Sequence, residues 1–223
     1  MAMATTTKVK ICGLRTEATL DAALAAGADY VGLVFFPPSP RNIAPAAAKA
    51  LAARARGRAK IVALMVDPDD ALVEAVIATA DPDMLQLHGE ETPERVREIH
   101  SRWGKPIMKA IKVETAEDAR AAVDYGGAAD LILFDARAPE ESTRPGGNGA
   151  PFDWRTLAGV KDRVDYVLSG GLTPDNVAEA IRVTGAGIVD VSSGVEVRPG
   201  EKDPELIRRF LQVAKASTTR CTL

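Results

Sequence analysis

Cysteine and histidine are scarce in this chain: each occurs only twice in 223 residues. Cys12 and Cys221 alone make no disulfide framework. His88 and His100 are too few for a histidine-based metal centre. No apolar run approaches the ~20 residues of a membrane-spanning helix. Neither sign of charge prevails, with 28 Lys+Arg against 31 Asp+Glu and a net charge of -3. That leaves no electrostatic footprint for nucleic acid or an anionic membrane. Aromatic residues make up 4%, so aliphatic and alanine side chains must fill the core. The opening residues Met1 to Thr7 lack the basic and apolar regions of a secretory leader. A soluble, reduced, cytoplasmic protein acting on a small molecule is the expectation, with monomer and homodimer both open.

What the chain does have is a repeat. Short apolar runs of strand length occur at 8–12, 30–36, 61–66, 84–88, 106–111, 131–135, 166–169 and 188–192. Helical segments follow them, at 16–24, 45–56, 69–79, 92–102, 116–123, 153–157, 174–183 and 204–214. Thr16 stands as the first N-cap, and Gly27 ends that helix. Strands apolar on both faces belong to a parallel sheet covered by helices. Eight strand-then-helix units at a period of roughly 25 residues predict an α/β fold, a single (β/α)8 TIM barrel over residues 1–223. Segments 1–7 and 216–223 are expected as flexible tails. An open doubly wound sheet is the alternative, usually with fewer strands.

In such a barrel the site lies at the carboxyl ends of the strands. Strand 1 ends at Cys12, which is a core filler, a base or an adduct-forming nucleophile. As a base it needs a nearby positive charge to stabilise the thiolate. Strand 6 ends at Asp135, a carboxylate on a buried strand end. Its bland role is to cap the next loop. Burial would favour the neutral, proton-donating form. Strands 1 and 6 are not neighbours, so their ends face one another across the mouth. Gly170 and Gly171 after strand 7, with Ser192, Ser193 and Gly194 after strand 8, place small residues at the frequent phosphate site of barrels. Tight turns needing positive φ would use the same glycines. Gly146 and Gly147 sit in a glycine-rich loop that could cover the same group. Arg41, stiffened by Pro37 and Pro38, is either solvated or a bidentate grip for a carboxylate. His88 is a site residue or a hydrogen-bonded strand end.

Several of these stretches, in this order, resemble one family. They are Lys10-Ile11-Cys12-Gly13-Leu14, Gly32 to Phe36 with Ser39-Pro40-Arg41, Leu85 to Gly89, Asp135 before Gly146-Gly147-Asn148-Gly149, Ser169 to Leu172, and Val189 to Glu196. The chain from about Lys8 to Gln212 is similar to the phosphoribosylanthranilate isomerases of tryptophan biosynthesis. The resemblance implies an Amadori rearrangement without cofactor. It implies Asp135 as acid, Cys12 as base, Arg41 as clamp for the anthranilate carboxylate, and the loops at Gly171 and Ser193 as phosphate grip. Asn148 and Ser169 depart from the residues usual there, threonine and alanine, which touches only loop detail. Histidine-pathway sugar isomerases carry an aspartate where this chain has Cys12. A catalytically silent paralogue that binds a phosphorylated ligand would not need both Cys12 and Asp135. Parity puts Lys10 on the interior face with Cys12. An unpaired interior ammonium is costly, and Asp190 is its expected partner.

Overall fold

The structure is a computed structural model that describes residues 5–137, 152–160 and 162–219. Eight parallel strands close into a barrel. They are β1 (Lys8–Cys12), β2 (Tyr30–Val34), β3 (Lys60–Met65), β4 (Met84–Leu87), β5 (Ile107–Val113), β6 (Leu131–Ala136), β7 (Tyr166–Leu168) and β8 (Ile188–Val191). The predicted barrel is therefore what the chain forms, with strand ends displaced by one or two residues. The α-helices are α1 (Glu17–Ala25), α2 (Pro45–Ala55), α3 (Asp70–Ala80), α4 (Pro93–Trp103), α5 (Ala116–Arg120), α6 (Val177–Thr184) and α7 (Pro204–Ala216). The connection between β6 and β7 contains a 3-10 turn, Trp154–Gly159.

Local chemistry sets the helix starts. Thr16, Asp69, Thr92, Thr115 and Asp203 each accept a backbone N–H from the first turn of the helix that follows. These caps satisfy donors that a helix leaves without partners. At the opposite end of the barrel from the site, three aspartates tie strands in pairs. Asp29, Asp83 and Asp130 precede β2, β4 and β6. Their carboxylates accept from Val9 N, Ile61 N and Ile107 N at 2.8, 2.7 and 2.8 Å.

Alternation along the strands separates two apolar regions. One parity, including Val9, Ile11, Val31, Leu33, Leu85 and Phe134, packs against the helices. The other parity fills the barrel with Tyr30, Val62, Met84, Met108, Leu133 and Val167. Above that plug the interior turns polar. Lys10, Gln86 and Asp190 are at most 4% exposed, yet they face inward.

Closure pairs β1 with β8 and sets Lys10 beside Asp190 in register. The Lys10 ammonium donates to Asp190 Oδ1 at 2.8 Å, which bears out the pairing expected from parity. Ser169 Oγ donates to the other carboxylate oxygen at 3.0 Å.

Two expectations need correction. The terminal segments are not loose throughout: Thr5–Thr6 pairs antiparallel with Thr218–Thr219. Thr7 is fully buried, and its hydroxyl donates to Ser217 O at 2.9 Å. Short extended runs of β-branched threonine satisfy each other's backbone groups there. The helix expected at 116–123 is α-helical only to Arg120 and continues as a 3-10 turn, Ala121–Tyr125. The sequence reading also lacked a hairpin, Glu196–Arg198 with Glu201–Lys202, which follows β8.

Removing one partner of a buried ion pair strands the other charge, at a cost of about 3–5 kcal/mol. Lys10→Met should lose that much in urea unfolding, and Lys10→Met/Asp190→Leu should recover most of it. Equal losses in the single and double variants would show that the pair is not what holds these positions.

Candidate active site

Cys12 ends β1 at 4% exposure. Its register partner across the β1–β2 ladder is Gly32. A Cβ at Gly32 would lie 3.0 Å from the Cys12 sulfur and 3.3 Å from Lys10 Nζ. The thiol and the ammonium therefore meet in the space that any side chain at position 32 would fill. Here is the positive charge that a thiolate needs.

Burial pushes the Cys12 thiol above its ordinary value of 9.0, because a thiolate there loses its hydration. Lys10 pulls it down, Asp190 pushes it up, and Lys202 pulls it down again. The sulfur thus holds its proton, with two cations nearby. Burial works against the Lys10 charge as well. Asp190 and then Cys12 outweigh it, and the ammonium is held above its usual range.

Lys202 comes from the hairpin after β8. Its ammonium donates to Ser192 O at 3.0 Å, Ser192 Oγ at 3.2 Å and Glu196 Oε1 at 2.6 Å. Burial pulls Lys202 down, and Glu196 opposes it. For Glu196, burial favours the neutral acid, but Arg41 and Lys202 hold it below the usual carboxylate range.

Arg41 is 5% exposed. Its Nε and Nη2 each lie 2.8 Å from a Glu196 carboxylate oxygen. The Nε and Nη2 edge of Arg41 thus lies against the protein's own Glu196. Among the described residues, two cations, Arg41 and Lys202, here meet one carboxylate, Glu196.

Asp135 ends β6 at 6% exposure. Its Oδ1 accepts from Ala136 N at 3.0 Å, and Oδ2 lies 3.2 Å from His88 Nε2. The other ring nitrogen of His88 lies 2.9 Å from the Gln86 amide nitrogen. Both nitrogens of His88 thus face protein groups, and it is at once a strand-end residue and a neighbour of Asp135.

Cys12, Arg41, His88, Asp135, Gly170, Gly171, Ser192 and Ser193 all line one cleft of about 710 Å³ that opens to solvent. Gly194 adjoins it in the 3-10 turn Ser193–Val195. Gly170 has φ +84, and a Cβ on it would lie 2.4 Å from Ala136 N, beside Asp135. Backbone geometry alone therefore requires that glycine, as the tight-turn reading held. Asn176, just before α6, donates to Gly171 O and accepts from Thr173 N, which fixes the turn. Gly146 and Gly147 lie outside the described residues, as does Cys221.

Sequence reasoning missed Gln86, Lys202 and the Arg41–Glu196 contact. Gln86 carried a usable signal, because it stands two residues before His88 on the same strand face. Lys202 carried none, since a lysine in a polar hairpin reads as solvated. In chemical terms the cleft holds a carboxyl group and a thiol from non-adjacent strands. Small residues lie near a helix start, and two cations meet one carboxylate at one side. Such a site can bind an anion and move protons at two points of one ligand.

The family profile described as N-(5'phosphoribosyl)anthranilate (PRA) isomerase matches residues 9–213. A relative named N-(5'-phosphoribosyl)anthranilate isomerase, from Rhodopseudomonas palustris (strain BisA53), is 57% identical over 209 residues, covering 94% of this chain and 96% of that one. One of the same name from Bradyrhizobium sp. (strain ORS 278) is 55% identical, covering 94% and 95%. Among solved structures, the phosphoribosyl anthranilate isomerase from Thermotoga maritima superposes with TM-score 0.85 at 36% identity, covering 94% and 99%. Another solved isomerase of that name, in complex with reduced 1-(o-carboxyphenylamino)-1-deoxyribulose 5-phosphate, gives TM-score 0.83 at 34% identity, covering 94% and 99%.

On a Cys221→Ser background, the ultraviolet thiolate signal of Cys12 should titrate with a midpoint above 9.0. Lys10→Met should move it higher still, because a cation beside the sulfur is gone and Asp190 is left unpaired. A midpoint at or below that of a free thiol, or one indifferent to Lys10, contradicts this electrostatic account.

Proposed function

The chain belongs to the N-(5'-phosphoribosyl)anthranilate isomerase family, and from that premise we propose how its own residues perform the isomerisation. The substrate is N-(5'-phosphoribosyl)anthranilate. The product is 1-(2-carboxyphenylamino)-1-deoxyribulose 5-phosphate, formed by an Amadori rearrangement in tryptophan biosynthesis. The observation that carries the assignment of roles is the pairing of Cys12 and Asp135 on one cleft from non-adjacent strands. A silent ligand-binding paralogue has no use for that pair.

Asp135 gives its proton to the ribose ring oxygen. The C1–O bond breaks with its electrons going to that oxygen, and the nitrogen lone pair forms the C1=N iminium. The iminium acidifies the proton on C2. Cys12, as thiolate, takes that proton, and the C2–H electrons form the enolamine, which then tautomerises to the ketone. The electrostatics around Cys12 fit this order. The thiol keeps its proton at rest, with burial opposing the thiolate. A cationic iminium beside the sulfur favours the thiolate: the thiol proton leaves to solvent at the open mouth of the cleft, and the freed sulfur lone pair then takes the C2 proton.

Phosphate binding is assigned to Gly170, Gly171, Ser192, Ser193 and Gly194, whose small side chains let backbone groups approach an anion. Gly146 and Gly147 are proposed as its cover. The anthranilate carboxylate is assigned to the side of the cleft bearing Arg41 and Lys202. It is attracted there by net charge, while Glu196 keeps the Arg41 edge aligned. Among the described residues no helix is long and apolar enough to cross a membrane. The cytoplasm is the compartment we assign, with one phosphorylated small molecule as the binding partner.

Purified protein should consume the fluorescent anthranilate substrate. Cys12→Ser and Asp135→Asn should each lower kcat by about 10²-fold or more, the scale of general acid–base catalysis, with circular dichroism unchanged. Near-wild-type kcat in either variant removes that residue from its role.

A further inference from the structure

His88 is the buried titratable group that the two-residue mechanism does not use. It is 7% exposed and lies on the same cleft as Asp135. We propose that His88 is a positioning residue for the acid, held in one tautomer by Gln86, and that it makes no contact with substrate. The proposal rests on Asp135 being the acid, as assigned above.

The Gln86 amide fixes the tautomer. Gln86 is 1% exposed, and its nitrogen lies 2.9 Å from His88 Nδ1. Its Oε1 has no hydrogen-bond partner among the described residues. Turning the amide over would pair Oε1 with a protonated Nδ1 and leave two amide N–H donors buried without partners. An orphaned buried donor is rarer than an under-satisfied carbonyl oxygen. The observed orientation is therefore favoured: the amide donates to a bare Nδ1. The ring proton then sits on Nε2, which faces Asp135 Oδ2 at 3.2 Å.

That proton has two consequences for the acid. First, Nε2–H occupies Oδ2 as an acceptor, so the acid proton is directed to Oδ1, the oxygen that accepts only the Ala136 amide. Second, when Asp135 loses its proton to the ring oxygen, the O–H electrons stay on the carboxylate. The Nε2–H then donates to a full negative charge. A hydrogen bond to a charged group is worth more than one to a neutral group, so the ring stabilises Asp135 most after proton transfer. His88 gains and loses no proton in this step, and the balance of the reaction is unchanged.

The chain has two histidines, which makes the test direct. Imidazole nitrogens of the full-length protein can be read by 15N NMR, with His100→Gln to assign the signals. The expected wild-type signature for His88 is a neutral ring protonated on Nε2, and Gln86→Leu should admit the Nδ1–H tautomer. In turnover, His88→Leu should lower kcat by about 10- to 100-fold with KM within about twofold. His88→Gln, which keeps an N–H donor on the side chain, should regain part of the loss. An Nδ1–H signature in wild type, or an indifferent tautomer in Gln86→Leu, overturns the proposal. So does a His88→Leu variant whose KM rises tenfold while kcat is kept, since that marks a substrate contact. If the wild-type protein turns over no substrate, the functional reading fails, and the tautomer still decides whether Gln86, His88 and Asp135 are coupled as described.

Discussion

The buried ion pair between Lys10 and Asp190 is the constraint around which the upper barrel is arranged. It joins the first and last strands at their point of closure. Two charges taken out of water carry a large desolvation cost, and only good geometry with further hydrogen bonds offsets it. Both conditions are met, because Asp190 accepts from Lys10 on one oxygen and from Ser169 on the other. The same ammonium reaches the space beside Cys12, kept open by the absence of a side chain at Gly32. One pair thus serves closure and electrostatics together. Burial keeps Cys12 from being a standing thiolate, and Asp190 cancels part of what Lys10 offers against it.

A second cluster, Arg41, Glu196 and Lys202, repeats the logic at the rim with an odd count of charges. The neutral pair lies deep and the net-positive triad lies where an anionic ligand can feel it. Screening is weak at such buried positions, so the triad's excess charge acts over the cleft. A third polar chain runs from Gln86 to His88 to Asp135. Cys12 and Asp135 accordingly have different surroundings: Cys12 lies near two ammonium groups, Asp135 against an imidazole. At the far end of the barrel, Asp29, Asp83 and Asp130 do only structural work, each capping a neighbouring strand.

Much of this was legible because barrel strands carry their information in period and parity. Eight apolar runs with helical spacers yielded the architecture. Strand ends then selected Cys12 and Asp135, and parity matched Lys10 with Asp190. What escaped detection depended on contacts far apart in sequence. Arg41 and Glu196 are brought together by a hairpin that no local signal announced. Lys202 looked like a surface lysine and is 6% exposed. The terminal threonines looked like tails because neither partner strand is predictable without the other. His88 stayed ambiguous in sequence because its role is set by a neighbour on β6.

The central claim is that Cys12 and Asp135 act by proton transfer through an enolamine. The most direct measurement is turnover in heavy water, with the product analysed for deuterium at C1. The account predicts a solvent-derived deuteron at C1, because C2 loses its hydrogen to Cys12 and C1 is protonated afterwards. A product free of solvent deuterium, with the original C2 hydrogen carried wholly to C1, would mean an internal hydride shift and would contradict it.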